Sequence, residues 1–501
     1  MLFDRIKSLF KHTAIYGIGD LLGRSVSFFL LPLYARMLST GDNGVRSLAF
    51  VFIGLSTIFY SLGLNQALVR YLSGKGDPAV HRNRFSSAFW TLFGVGLTLS
   101  ALLWAGAVPL AHHFLGAGAY ADIFHLIAVI ILLDTLSEPL FTVCRARQRS
   151  ATYAAVRLVQ HSLQMGLTVY LIAGLGQGVR AIFWSNIASS AFAFLALSPV
   201  CWQNLRLIYS PAAVRELLAF GIPFVPSALA LLVINLSDRY LIRIFLGIEE
   251  VGIYDIVYKF TLPMLIAVRV LRAAWAPTVL SIPDREGAHA LCARVTTYFS
   301  LTAVFLLLCI LNFSRELILL VAGSNASVYL KAQGIVAPIL LAYLLSGIYV
   351  IFTAGVYVQR RTRMLPAIVG AGAVVNIGIN LLLIPRIGFI AAAWSTLAAY
   401  SLMALLLYLQ TRRFYPVPYE YRRLAKIGVA GTVVFLFTSD YIHGITPGGI
   451  ARGISLLAYP IILWGWNFFD PQEWHNLRSM VRFPRVQSEK RPYENSLNGE
   501  G

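Results

Sequence analysis

Residues 122–145 read DIFHLIAVIILLDTLSEPLFTVCR. Ile127 to Leu133 is an unbroken apolar run, whereas the strands of a membrane barrel alternate apolar and polar positions over ~10 residues. A helix needs about 20 mostly apolar residues to cross the hydrocarbon of a bilayer, and this stretch has that length. It also carries Asp134 and Glu138, one helical turn apart and just ahead of Pro139. Carboxylates at such depth are expensive unless they face water or a partner, so the stretch predicts a membrane-spanning helix with a polar task.

The rest of the chain repeats the pattern. Of its 501 residues 58% are apolar and 13% charged, against roughly 45–50% and 25% in soluble domains, and the mean hydropathy is +0.70. Single cores stop growing near ~250–300 residues, so the excess apolar surface belongs in lipid. Segments of spanning length fall at 13–37, 44–71, 85–111, 122–145, 153–174, 180–202, 215–246, 252–279, 295–313, 333–358, 365–385, 388–411, 424–440 and 453–469. The fold class expected is an all-α integral membrane protein with about 14 transmembrane helices.

Charge sets its orientation. A net charge of +19 could by itself suggest nucleic acid, but Lys and Arg also accumulate in the cytoplasmic loops of membrane proteins. The N-terminus, the loops after even-numbered segments and the tail hold 26 bases, among them Arg82, Arg147, Arg361, Arg412 and Arg485, and the opposite loops hold five. Both termini are therefore expected in the cytoplasm and no nucleic-acid partner is expected. Residues 2–11 pair Leu2, Phe3, Ile6, Leu9 and Phe10 with Arg5, Lys7 and Lys11, as an interfacial helix on an anionic leaflet would. The last twenty residues are polar enough to be disordered. Cys144, Cys201, Cys292 and Cys309 have no metal or redox spacing.

An internal repeat divides the spans. LSTGDNGVRSLAF from Leu38 and LGIEEVGIYDIVY from Leu246 place Gly44 and Gly252 at offset 208; GVRAIFWS from Gly178 and GFIAAAWS from Gly388 match at 210; Tyr120 and Tyr329 add 209. Each match falls at the same point of the hydropathy pattern. Two six-helix lobes, 13–203 and 215–411, follow, related by a pseudo-two-fold axis along the membrane normal. They join through a cytoplasmic linker at 204–214 and are flanked by an amphipathic 1–12, two further helices in 424–470 and a cytoplasmic tail at 471–501. The longest outer segment, Ser314 to Ala332, is too short for a sugar-handling domain, and there is no GxxxxGK[ST] loop for ATP. A secondary transporter is expected rather than an enzyme, with no cofactor.

Ten bases lie inside the segments: Arg24, Arg36, Arg46, Arg70, Arg157, Arg239, Arg243, Lys259, Arg269 and Arg272. Five acids lie at comparable depth: Asp20, Asp134, Glu138, Asp238 and Asp255. Arg36 and Arg46 sit near segment ends and can snorkel to the interface, while Asp20 with Arg24 and Asp255 with Lys259 are i,i+4 pairs. Asn235, Arg239 and Arg243 share a face, as do Arg269 and Arg272, which suits a water-filled anion path because the arginine fork binds phosphate bidentately. Asp134 and Glu138 are candidates for ion coupling, or else neutralise Arg145 and Arg157; Arg157, His161 and Gln164 form a polar face. Gly221, Pro223, Pro226, Pro263 and Pro277 break helix hydrogen bonds and permit bending.

TAIYGIGDLLGRSVSFFLLPLYARMLSTGDNG at Thr13 to Gly44, SLGLNQALVRYL at Ser61 to Leu72, and GIPFVPSALALLVINLSDRYLIRIFLGIEEVGIYDIVYKF at Gly221 to Phe260 resemble the polysaccharide transporter family. Its members are flippases of lipid-linked oligosaccharides within the multidrug/oligosaccharidyl-lipid/polysaccharide exporter superfamily. The resemblance covers nearly the whole chain through loose hydropathy patterns. It implies alternating access around a cationic cavity carried here by Arg24, Arg70, Arg239, Arg243, Lys259, Arg269 and Arg272; the carboxylates at membrane depth, Asp20, Asp134, Glu138 and Asp238, are separately candidates for ion coupling. The implied substrate is an undecaprenyl-diphosphate-linked oligosaccharide, moved to the outer leaflet of the bacterial inner membrane for O-antigen, capsule or exopolysaccharide assembly alongside a polymerase. Alternatives are a lipid-linked peptidoglycan precursor flippase, a drug or cation exporter of the superfamily, and a membrane polymerase or ligase.

Overall fold

The computed structural model describes residues 28–72, 77–280, 282, 285–359, 361, 363–438 and 449–469. Asp20, Arg24, the amphipathic 2–11 stretch and the polar tail lie outside the described residues. Among the described residues all regular structure is helical. The chain divides into two compact units, Met1–Glu420 and Tyr421–Gly501.

In the first unit, α1 (Leu31–Met37) leads to α2 (Thr40–Ser61), α3 (Leu64–Leu72), α4 (Pro78–Ala105), α5 (Ala107–Leu115), α6 (Ala121–Ala146), α7 (Ser150–Val169), α8 (Arg180–Ala196) and α9 (Ser198–Asn204). Then come α10 (Pro211–Gly221), α11 (Phe224–Leu246), α12 (Ile248–Tyr258), α13 (Leu262–Leu280), α14 (Arg285–Asn312) and α15 (Ser314–Ala322). The short α16 (Ala326–Leu330) precedes α17 (Val336–Val358), α18 (Met364–Ile387) and α19 (Ile390–Thr411). The second unit holds α20 (Tyr421–Thr438) and α21 (Gly449–Gly465), which pack on each other. There Lys426 donates to the Trp466 carbonyl at 2.6 Å and Arg423 stacks over Phe468.

Among the described residues eight helices are long and apolar enough to cross a membrane, or up to ten when each bent pair is one span. The first of the fourteen expected segments lies largely outside the described residues. α7 carries Arg157, Gln160, His161 and Gln164, all facing a cavity, so its composition is more polar than its position. Helix starts extend beyond the apolar windows because polar first turns are capped. α4 begins at Pro78, with Asp77 accepting the Ala79 N–H at 2.8 Å and proline at the first turn, as caps favour.

Several spans are broken for local reasons. α10 and α11 meet at 41° around Pro223, which cannot donate to a preceding carbonyl. Pro263 likewise leaves the Lys259 carbonyl without its i+4 donor, and Lys259–Thr261 tighten into a 3₁₀ turn. α2 ends in a left-handed Leu62 and a Gly63 at φ +70°.

Glycines 208 residues apart make matching close approaches. A Cβ at Gly44 would lie 1.9 Å from the Ile248 carbonyl oxygen, and one at Gly252 would lie 1.9 Å from that of Thr40. Thr40 and Ile248, like Gly44 and Gly252, are 208 apart, so the two contacts by which α2 and α12 cross carry the same spacing as the sequence match. Gly63 and Gly221 make a second backbone crossing, between the α2–α3 break and the end of α10, where a Cβ at Gly221 would lie 2.7 Å from the Gly63 oxygen. Trp184 and Trp394 stand at matching places with exposures of 52% and 51%, and Ser185 and Ser395 beside them are fully buried. Leu102, Val108, Leu195, Val374 and Leu382 are exposed, the apolar exterior that a lipid-facing surface requires.

Candidate functional site

Two cavities meet at one group of charges. The first, about 670 Å³, is polar: α2 contributes Arg46 and Ser47, α6 Asp134 and Glu138, α7 Arg157, Gln160, His161 and Gln164, and α8 Asn186 and Ser190. The second, about 700 Å³, is lined mostly by apolar side chains, among them Phe28, Phe29, Leu231, Leu232, Leu262, Leu265 and Ile266, with Arg269 and Asn235. Leu236, Arg239, Asp255 and Lys259 line both.

At that junction Asp255 of α12 accepts from Arg46 of α2 at 2.8 Å, Arg239 of α11 at 3.2 Å and Lys259 at 3.1 Å. Asp238 accepts from the Arg239 guanidinium at 2.9 Å, the Arg239 backbone N–H at 2.8 Å and the Tyr254 hydroxyl at 2.6 Å. Arg46 also stacks over Tyr34 at 4.5 Å and Arg239 over Tyr258 at 4.3 Å. Arg46, Arg239, Asp238 and Asp255 are all buried. Three cations against two carboxylates leave the group one charge positive. Removing one partner of such a buried set costs about 3–5 kcal/mol, because the other charge is left uncompensated.

Deeper in the polar cavity Glu138 is shared by Arg145 at 2.9 Å and Arg157 at 2.7 Å, with Arg157 lying 3.7 Å over the Phe141 ring. Glu138 is thus shared by both arginines and offsets one of their two charges. Asp134 instead accepts from Ser190 at 2.6 Å, and among the described residues it has no bonded cation.

The other expected positions are spread out. Arg269 lines the apolar cavity, while Arg272 opens into a separate space of about 300 Å³ beside Trp275, Tyr349 and Tyr357. Arg243 shares a helix face with Arg239 but donates to the His112 carbonyl at 3.1 Å, which also accepts the Gly116 N–H, at the C-terminal end of α5 where the helix dipole favours a cation. Arg70 is exposed and stacks over Phe220 at 4.5 Å. Arg36 caps α15 through the Leu320 and Val321 carbonyls, as a residue near a helix end does. Arg46 does not snorkel: it is 3% exposed, held inward by the Gly44–Gly252 crossing two residues away. That glycine match was the sequence signal that α2 and α12 touch there.

The helical architecture is shared with solved membrane-protein structures. It superposes on the lipid II flippase MurJ in an inward closed conformation with a TM-score of 0.71, at 14% identity over 94% of this chain and 100% of that one. An inward-facing multidrug resistance MATE family transporter of the MOP superfamily gives 0.59, at 14% identity over 81% and 96%. More specifically, the chain belongs to the polysaccharide biosynthesis protein family, whose model matches residues 33–331. It is 24% identical over 277 residues to the succinoglycan biosynthesis transport protein ExoT of Rhizobium meliloti, spanning 54% of each chain. The match to Lsg locus putative protein 1 of Haemophilus influenzae is 22% and spans 65% of that relative, so the chain covers about half to two thirds of these two proteins. Similarity to the probable low-salt glycan biosynthesis flippase Agl15 of Haloferax volcanii is 19% over 83% of this chain and 86% of that one.

Proposed function

We propose that the protein flips an undecaprenyl-diphosphate-linked glycan unit from the cytoplasmic to the outer leaflet of a bacterial inner membrane, for O-antigen, capsule or exopolysaccharide assembly. The observation that carries this reading is the junction of a polar cavity and an apolar cavity at Arg239 and Lys259. A lipid-linked sugar has three parts of different solubility, and the two cavities with the cations between them match that order: glycan, phosphates, polyprenyl. The family and the relatives named for succinoglycan transport and glycan flipping support it.

In this reading segments 13–203 and 215–411 are lobes that rock about the cavity, both termini are cytoplasmic, and the phosphates pair with the junction cations while the tail stays near lipid. Moving negative charge outward is favoured by an inside-negative potential, at about 2.3 kcal/mol per charge per 100 mV. Among the described residues Asp134 is the remaining candidate for ion coupling, since Glu138 is held by two arginines and Asp238 by Arg239 and Tyr254. Purified protein in liposomes tests the reading: a fluorescent undecaprenyl-diphosphate oligosaccharide should change leaflet faster than in protein-free vesicles and respond to an imposed potential. Movement of a cationic dye alone would refute it. The likeness in fold to a lipid II flippase favours a peptidoglycan precursor as the second reading, and presenting both lipids in parallel separates the two.

A further inference from the structure

We propose that Asp255 is a built-in counter-anion that occupies the phosphate site of the empty protein, and that exchanging it for the phosphates of the substrate releases α2 from α11 and α12. The inference rests on the flippase reading above and adds how the site is guarded.

The two carboxylates of the junction differ in what they join. Among the described residues Asp238 bonds only to Arg239 and Tyr254, on α11 and α12, so it positions one side of the site. Asp255 reaches across to Arg46 of α2, and among the described residues that is the one ion pair linking α2 to α11 or α12. The cations are also under-used. Two guanidiniums and an ammonium carry far more N–H donors than one carboxylate can accept, and among the described residues Arg46 Nε is buried without a hydrogen-bond partner beside the polar cavity. A diphosphate diester brings two charges and four terminal oxygens, so it can satisfy donors that Asp255 leaves idle and, once Asp255 has left, balance the two positive charges that the three cations keep against Asp238.

The location gives the exchange a direction. Arg46 follows Gly44 by two residues and Asp255 follows Gly252 by three, so the bridge sits at the crossing of α2 and α12. On the expected topology that crossing is the outer end of both helices. With Asp255 bridging, the outer end is held shut; with an anionic headgroup on the cations, Asp255 is freed and the crossing can part. After release to the outer leaflet the carboxylate returns and closes it. A neutral lipid cannot make the exchange.

Full-length protein in nanodiscs, titrated with farnesyl diphosphate and with farnesol as the neutral control, tests this by calorimetry and hydrogen exchange. A site filled by its own counter-anion most of the time binds with an affinity reduced by the free fraction, so Asp255→Asn should bind the diphosphate about tenfold tighter, about 1.4 kcal/mol, and Arg46→Gln more weakly than wild type. In the wild type, which needs no variant to fold, the diphosphate should lower amide protection in 40–52 and 248–258 and farnesol should not. Equal or weaker binding by a folded Asp255→Asn overturns the exchange, as does unchanged protection in diphosphate-saturated wild type. Should Asp255→Asn not fold, Asp255→Glu keeps the counter-anion, and its binding should stay within about threefold of wild type; a larger gain would overturn the proposal. Absence of any diphosphate binding by wild type, together with no flipping in liposomes, would instead fell the flippase reading itself.

Discussion

Adding one methyl group at Gly252 should bias the protein towards its outward-open form. The Cβ of Gly252→Ala would start 1.9 Å from the Thr40 oxygen, and ordinary contact begins near 3.4 Å, so α2 and α12 must part by about 1.5 Å or distort. Overpacking of this kind costs about 1–3 kcal/mol, which lowers the population with the crossing closed about five- to 150-fold. Ser47, buried beside Arg46 and lining the polar cavity, is a suitable reporter. With the native cysteines replaced, Ser47→Cys should react slowly with an impermeant maleimide added outside proteoliposomes, and at least about fivefold faster with Gly252→Ala present. Gly166→Ala is the control, because nothing lies within 4 Å of its Cβ and an alanine in a helix interior gains about 0.5–1 kcal/mol over glycine. Equal labelling in the Gly252→Ala and control proteins would show that the crossing does not gate the cavity.

Other substitutions separate structural from transport roles. Arg243→Ala should lower thermal stability by about 0.3–1 kcal/mol, through loss of its bond to the α5 end, and leave diphosphate binding unchanged. Glu138→Gln, which leaves two half-buried arginines sharing a neutral amide, should destabilise by about 1–3 kcal/mol, measured by thermal unfolding in detergent. Arg269→Ala should slow flipping of the diphosphate-linked glycan about tenfold, about 1.4 kcal/mol, without changing membrane insertion; wild-type rates would remove Arg269 from the path.

Helix positions were readable because an apolar run such as Ile127 to Leu133 has one solution in lipid. Boundaries were less so, since the capped polar start of α4 and the polar start of α14 contain little that distinguishes them from loop. The pairing of Gly44 with Gly252 was legible as a repeat, and the crossing it makes is the physical meaning of that repeat. Asp255 was legible only as the i,i+4 partner of Lys259, because spacing rules see a residue's own helix and its bonds to Arg46 and Arg239 come from two others. Arg46 was misread for the same reason: a ruler along α2 puts it near an end, and only the close approach of α12 buries it. Arg243 followed Arg239 on one face as the period demands, but the end of α5 takes it out of the cavity.

The matched tryptophans have a mechanical consequence. Trp184 and Trp394 each stand four residues into a helix, α8 and α19, with their indoles equally exposed, and indoles of this kind settle at the headgroup level of a bilayer. Under the proposed two-lobe arrangement, two equal anchors on α8 and α19 act as paired floats that hold both lobes at one depth. Vertical sliding of one half past the other would pull an indole out of its preferred layer, whereas a hinge-like tilt leaves both near it. The membrane thereby helps choose which relative motion is cheap.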